Sequence, residues 1–144
     1  MPVFPSKEWC EEAIRLLNAD PEIALAGQGW TGDFGAVVDA EPGKLARPFV
    51  AHVVPKDGKV VKFRALTDPD DLDEFEPAYV VRAPYSVWKG LLLGQVDPVE
   101  AVLKRRIAVQ GDVQPLIERM RYKGIADRVF AQLQTQFADE QGKR

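Results

Sequence analysis

Pro55-Lys56-Asp57-Gly58 stands between two strand-like runs, and no other feature of this chain restricts its fold as strongly. Proline presets φ for a tight turn, and glycine takes the left-handed conformation that closes one. Phe49 to Val54 leads in as an apolar run. Beyond the turn, Val61, Phe63 and Ala65 alternate with Lys62 and Arg64. The pair reads as a β-hairpin whose second strand turns Val61, Phe63 and Ala65 to a core and its charges to water. Phe34, Ala36, Val38 and Ala40, set against Gly35, Val37 and Asp39, predict another strand. Ala78 to Ala83, ended by Pro84, predicts a fourth.

Helices frame these strands. Ser6 is an N-cap for a helix that places Trp9, Cys10, Ala13, Ile14 and Leu17 on one face. Asp20-Pro21 starts a second, short helix ending in Gly27 and Gly29. Tyr85 to Leu93 is apolar nearly all round and stops near Gly94, so it is either buried or lines an apolar cavity. Asp97-Pro98-Val99-Glu100 opens another helix, with Glu100 reaching back in capping-box fashion. Ile107 and Val109 predict a short fifth strand. Asp112 then caps a helix bearing Val113, Leu116, Ile117 and Met120. Ile125, Val129, Phe130, Leu133 and Phe137 predict a last amphipathic helix. This order predicts an α+β fold: one five-stranded, mainly antiparallel sheet covered by helices. Residues 1–144 are expected to form one domain, with 138–144 a frayed polar tail.

Composition narrows the function. The chain has one His (His52), one Cys (Cys10), two Ser (Ser6 and Ser86) and one Asn (Asn18). Nucleophilic triads and His- or Cys-rich metal sites draw on these types, so the commonest catalytic constellations have no material here. Carboxylates, Lys and Tyr remain. The net charge of −3 argues against a nucleic-acid-binding protein. No apolar run approaches the roughly 20 residues of a membrane span, and no signal-peptide pattern opens the chain, which predicts a cytoplasmic protein.

Several motifs dissolve on inspection. Gly27-Gln28-Gly29-Trp30-Thr31-Gly32 spells a dinucleotide fingerprint, but a helix precedes it and a strand follows. That is the reverse of what places a pyrophosphate at a helix N-terminus, so it reads as a helix stop and loop. The acidic stretch Asp68 to Glu76 lacks the spacing of a calcium loop and reads as a solvated loop with a helical turn. His52 has no second His or Cys to share a metal and reads as a strand residue. Cys10 reads as a small core residue. From Lys104 to Arg128 seven basic residues face three acidic ones. They read as solvated helix faces, with a headgroup site or a patch for an anionic membrane as the sharper alternative.

Tyr79-Val80-Val81-Arg82, the run Ser86 to Ala101 with Trp88 and the Gly94-Gln95-Val96-Asp97-Pro98 step, and Ile107-Ala108-Val109-Gln110-Gly111-Asp112 follow in order over about 40 residues. This stretch resembles the sterol carrier protein-2 (SCP2) sterol-binding domain family. The resemblance implies an apolar tunnel between sheet and helices that holds a fatty acid, fatty acyl-CoA, sterol or other lipid, with no cofactor and no chemistry. Arg105-Arg106 stand where the family often has Gly and Lys before the short strand.

The resulting expectation is a non-enzymatic lipid-binding or lipid-carrier protein, with a lipid as ligand and transient contact with a membrane surface. Each methylene removed from water contributes about 0.8 kcal/mol. The lining is assigned to Phe34, Val38, Trp88, Leu92, Ile107, Val109, Leu116, Met120, Val129 and Phe130, and an anionic head to Arg105 and Arg106. The helix from Ile125 to Phe137 is a candidate lid. Two rivals stand beside this. One is a small enzyme using Tyr79, Tyr85 or Arg82 on an apolar substrate, and the other is an interaction module that buries its apolar face against a partner chain.

Overall fold

The computed structural model describes residues 2–30, 32–120 and 123–140. A short strand, β1 (Val3–Phe4), leads to α1 (Lys7–Ala19). The Ser6 hydroxyl accepts from the Trp9 amide at 3.0 Å and so satisfies one of the free donors at the α1 N-terminus. Asp20 caps α2 (Pro21–Ala26) in the same way, with Pro21 in its first turn. Then come β2 (Phe34–Asp39), β3 (Phe49–Lys56), β4 (Lys59–Leu66), a 3-10 turn over Pro69–Glu74 and β5 (Tyr79–Pro84). The second half holds α3 (Tyr85–Leu92), α4 (Pro98–Leu103), β6 (Ala108–Gln110), α5 (Val113–Met120) and α6 (Lys123–Phe130). It ends in β7 (Gln136–Phe137) and a 3-10 turn over Ala138–Glu140.

Five strands form one sheet in the order β4-β3-β2-β5-β6. The predicted hairpin supplies β3 and β4, closed by Gly58 at φ +84°. β5 enters on the far side of β2 and runs parallel to it, and the other neighbours are antiparallel. The architecture is therefore α+β with a mixed, mostly antiparallel sheet, as the pattern of elements predicts.

Both faces of the sheet are covered. On one, Val38 packs with Phe4, Trp9, Tyr85 and Phe137, bringing α1, α3 and the chain's two ends together. On the other, Val37 and Val50 meet Leu72 of the first 3-10 turn. Gly35 permits that approach, because a Cβ there would lie 2.7 Å from Leu72 Cδ1. The acidic stretch thus folds as a helical turn with Leu72 pinned to the sheet.

Four expectations change. Ala65, expected to face the core, is exposed on the edge strand β4. Val61 is 59% exposed, because the register slips between Val54 and Pro55: Val54 opposes Lys62 while Pro55 opposes Val60. The slip leaves Val61 as the surplus residue of a bulge, and Val60 takes the side that Pro55 faces. The last helix ends at Phe130 instead of Phe137, and residues 136 and 137 pair in parallel with β1. Of the expected tail, Ala138–Glu140 forms a turn held by Tyr85 and Lys89, and residues 141–144 lie outside the described residues.

Candidate functional site: an apolar cavity

A cavity of about 540 Å³ lies among α1, α2, α3, α5, α6, the start of β2 and the hairpin end. Its walls are apolar for a local reason. Trp9, Trp30 and Trp88 all line it. Each indole N–H is satisfied by the protein: Trp9 donates to Thr135 Oγ1 at 2.9 Å, Trp30 to the Gly32 carbonyl at 2.6 Å, and Trp88 to the Val37 carbonyl at 3.0 Å. The rings are left to present hydrocarbon. Trp30 also stacks on Phe34 with centroids 5.4 Å apart, and Tyr79 backs both rings.

The polar side chains on the wall are almost all engaged. Asn18 donates to the Val60 carbonyl at 3.0 Å and accepts the Val60 amide at 2.8 Å, so its amide extends the edge of β4 as another strand would. Lys123 and Asp127 pair at 2.8 Å, one turn apart on α6. Arg119 lies over the Trp30 ring at 5.4 Å and donates to the Ala26 carbonyl at the end of α2. Lys59 alone on this wall has neither a carboxylate nor a carbonyl partner among the described residues.

The end of the cavity depends on glycine. The turn at Gly58 sits directly on α2: a Cβ on Gly58 would lie 2.2 Å from the Ala24 carbonyl oxygen, and one on Gly27 would lie 2.6 Å from Gly58 Cα. Any larger residue would push the hairpin off the helix that it closes against.

Of the ten predicted lining residues, Phe34, Trp88, Leu92, Met120 and Phe130 are on the wall. Val38 lies in the cluster around Tyr85. Ile107 and Val109 pack beneath α3 and α4 with Ala83 and Ala101. Leu116 and Val129 are buried elsewhere in the helical layer. Arg105 and Arg106 are exposed in the turn after α4, away from the cavity. Helical spacing finds the apolar face of a helix but does not say which part of it meets neighbours and which part meets space. The first two helices supply Trp9 and Leu17, which the sequence offers only as an apolar helix face, and Ile23 and Ala26, which it does not single out.

The groups of the rival catalytic reading are engaged and off this wall. Tyr85 is wholly buried, and burial together with its hydrogen bond to Asp139 pushes its hydroxyl up to about 12. Arg82 pairs with Asp39 at 2.7 Å. Tyr79 stands behind Trp30 and Phe34. His52 lies on the opposite face of the sheet, 2.8 Å from Asp33 Oδ2 through Nε2 and stacked on Phe75. Arg64 approaches its Nδ1 at 3.2 Å. Among the described residues, no three His, Cys, Asp or Glu side chains gather to hold a metal.

No family model and no curated protein matches this chain. Solved structures do. The solution structure of a conserved hypothetical protein of Thermus thermophilus, named as a candidate sterol carrier protein, superposes with a TM-score of 0.74 at 17% identity, covering 88% of this chain and 87% of that one. A crystal structure of sterol carrier protein 2 gives 0.73 at 18%, covering 89% and 97%. The chain has the SCP2 fold. A palmitated SCP2-like protein of Aedes aegypti is more distant, at 0.56 and 16%, covering 82% of this chain and 94% of that one. Within the SCP2 fold, the cavity described here lies between the helical layer and one end of the sheet. No helix among the described residues is long and apolar enough to cross a membrane.

Proposed function

We propose that the chain binds and carries a lipid, a fatty acid, fatty acyl-CoA or sterol-like molecule, in this cavity, without covalent chemistry. The observation that carries the reading is a space of about 540 Å³ walled by three indoles whose N–H groups are already satisfied. Cavities of roughly 300–1,000 Å³ enclose small molecules. A wall with almost no free hydrogen-bonding groups gains affinity by removing hydrocarbon from water, at about 0.8 kcal/mol for each methylene. Such a site selects by size and greasiness more than by functional group. An anionic head would meet Lys59, which has no carboxylate partner among the described residues. The likeness of fold to sterol carrier protein 2 and to a palmitated relative supports the same class of ligand.

Native mass spectrometry of the purified protein, followed by organic extraction, tests this. The expected result is a one-to-one adduct that extracts as a lipid. Titration of delipidated protein with a fluorescent fatty acid in buffer should then saturate at one site. A bare protein mass, with no fatty acid, acyl-CoA or sterol binding below 100 μM (about −5.5 kcal/mol), would remove the proposal. Turnover of a bound lipid would favour the enzymatic reading.

A further inference from the structure

Resting on that reading, we infer that Phe130 is the stop that sets how long a hydrocarbon chain the cavity accepts, with a second apolar space directly behind it.

The two ends of the cavity differ, and α1 spans the distance between them. Trp9 and Asn18 both line the cavity from that helix. At 1.5 Å per residue they stand roughly 13 Å apart along its axis. Asn18 is bonded to Val60, the neighbour of Lys59 in β4, so Lys59 belongs to that end. Trp9 marks the other end, where Phe130 packs on it with ring centroids 5.8 Å apart. A lipid whose anionic head meets Lys59 therefore sends its tail toward Trp9 and Phe130.

Beyond Phe130 lies a second space of about 370 Å³, with Leu93, Leu133 and Phe137 among its walls. Leu92, Asp127 and Phe130 line both spaces, so the two meet at these residues. Asp127 is paired with Lys123 on its own helix at 2.8 Å. Phe130 is the largest of the three side chains at the junction. It is only half-buried although its neighbours are apolar, because open space lies on two sides of it. Its support is firm. The Trp9 indole donates to Thr135 Oγ1, on the wall of the second space, and stands edge-on to Phe4 with centroids 4.9 Å apart.

Each methylene taken from water strengthens binding about fourfold. Affinity should climb with chain length until the tail reaches Phe130 and then level off, since further carbons find no apolar room. Removing the ring joins the two spaces.

Competition of saturated fatty acids, from octanoate to eicosanoate, against the fluorescent fatty acid in buffer tests the stop. The parent should show a rise and then a plateau. Phe130→Ala should move the plateau at least two carbons longer. Chains beyond the parental plateau should gain at least tenfold, while short chains that do not reach the ring bind as before. Phe130→Leu should shift the plateau the same way by less, and it decides the matter if thermal melts show that the alanine variant is unfolded. Leu93 is 47% exposed, so Leu93→Glu sets a charge on the open side of the second space. Added to either Phe130 variant, it should cancel the gain of the long chains and leave the short ones unchanged. A parent that climbs without a plateau, a plateau that does not move, equal losses for short and long chains, or a gain that survives Leu93→Glu would overturn the stop. If the parent binds fatty acids and its plateau does not move, this inference alone falls. If it binds none, the cavity reading falls with it.

Discussion

The hydroxyl of Tyr85, on a wholly buried ring, donates to Asp139 Oδ1 at 2.7 Å across 54 positions of chain. Lys89, one turn along α3, reaches the same carboxylate at 2.9 and 3.1 Å. The start of α3 thereby holds the end of the chain, and β7, just before Asp139, pairs with β1. The C-terminal segment is part of the fold because these groups are satisfied only when it is in place. Tyr85→Phe keeps the ring and removes the donor to a charged acceptor. It should cost roughly 1.5–3 kcal/mol, seen as a drop in Tm of roughly 3–12 °C. A change below 1 °C would mean that the contact holds nothing.

The same carboxylate makes stability pH-dependent. Burial pushes Asp139 up, but the hydrogen bonds from Tyr85 and Lys89 outweigh it and hold the group below the usual carboxylate range. A carboxyl lowered in the fold takes its proton less readily than in the unfolded chain, where it titrates near about 3.9. The unfolded state therefore gains protons first, and the contribution, whole above that value, is lost as pH falls through the folded value. Asp33, pushed up by burial but held down by His52 and the Ala78 amide, acts in the same direction. Urea titrations between pH 7 and pH 3 should show Asp139→Asn less stable than the parent at neutral pH and less sensitive to acid. Parallel acid profiles for the two proteins would contradict this.

Filling the cavity separates space from packing. Ala126 of α6 lines the cavity. In a solid interior Ala126→Phe would overpack and cost roughly 1–3 kcal/mol. Here the ring should enter vacant volume, leaving Tm nearly unchanged and lowering fatty-acid affinity at least tenfold. Thermal melts and the fluorescent titration read the two effects separately. A large loss of stability with unchanged binding would argue against the cavity as the site.

Two glycines with similar backbones isolate the hairpin's contact with α2. Gly58 has φ +84° and Gly43 has φ +77°. Alanine at Gly43 meets no atom within 4 Å and should cost only the conformational term, about 1–2 kcal/mol. Alanine at Gly58 adds a collision with the Ala24 backbone. Its cost, measured by denaturant unfolding, should be at least twice that of Gly43→Ala, with weakened fatty-acid binding as the wall shifts. Equal costs would mean that the approach of hairpin and helix is slack.

Cys10 should be nearly inert while the protein is folded. Burial, then the neighbouring Glu11 charge, push its thiol up to about 12, and only the thiolate reacts. Iodoacetamide at pH 8 should label the native protein at least a hundredfold more slowly than the urea-unfolded chain. Comparable rates would mean that α1 opens readily.

The amino-acid sequence by itself determined the local events. Ser6, Asp20 and Asp97 start helices because their side chains satisfy the free donors of the first turn. Asp57 and Gly58, both left-handed, turn the hairpin, and alternation marks the strands. Such signals act within a few residues, which is why the order of elements and the α+β class could be read directly. Tertiary structure decided which apolar side chains face one another and which face space. Trp88 and Val129 are both expected on the lining, yet the first lines the cavity and the second is wholly buried. Likewise Val60 displaced Val61 from the inner side through a single slip of register, and the basic stretch after Lys104 was consumed in part by acids distant in sequence while Lys59, among the described residues, was left without one. A void, a bulge and an unpaired charge are each defined by what is brought opposite, and that is settled only when remote segments meet.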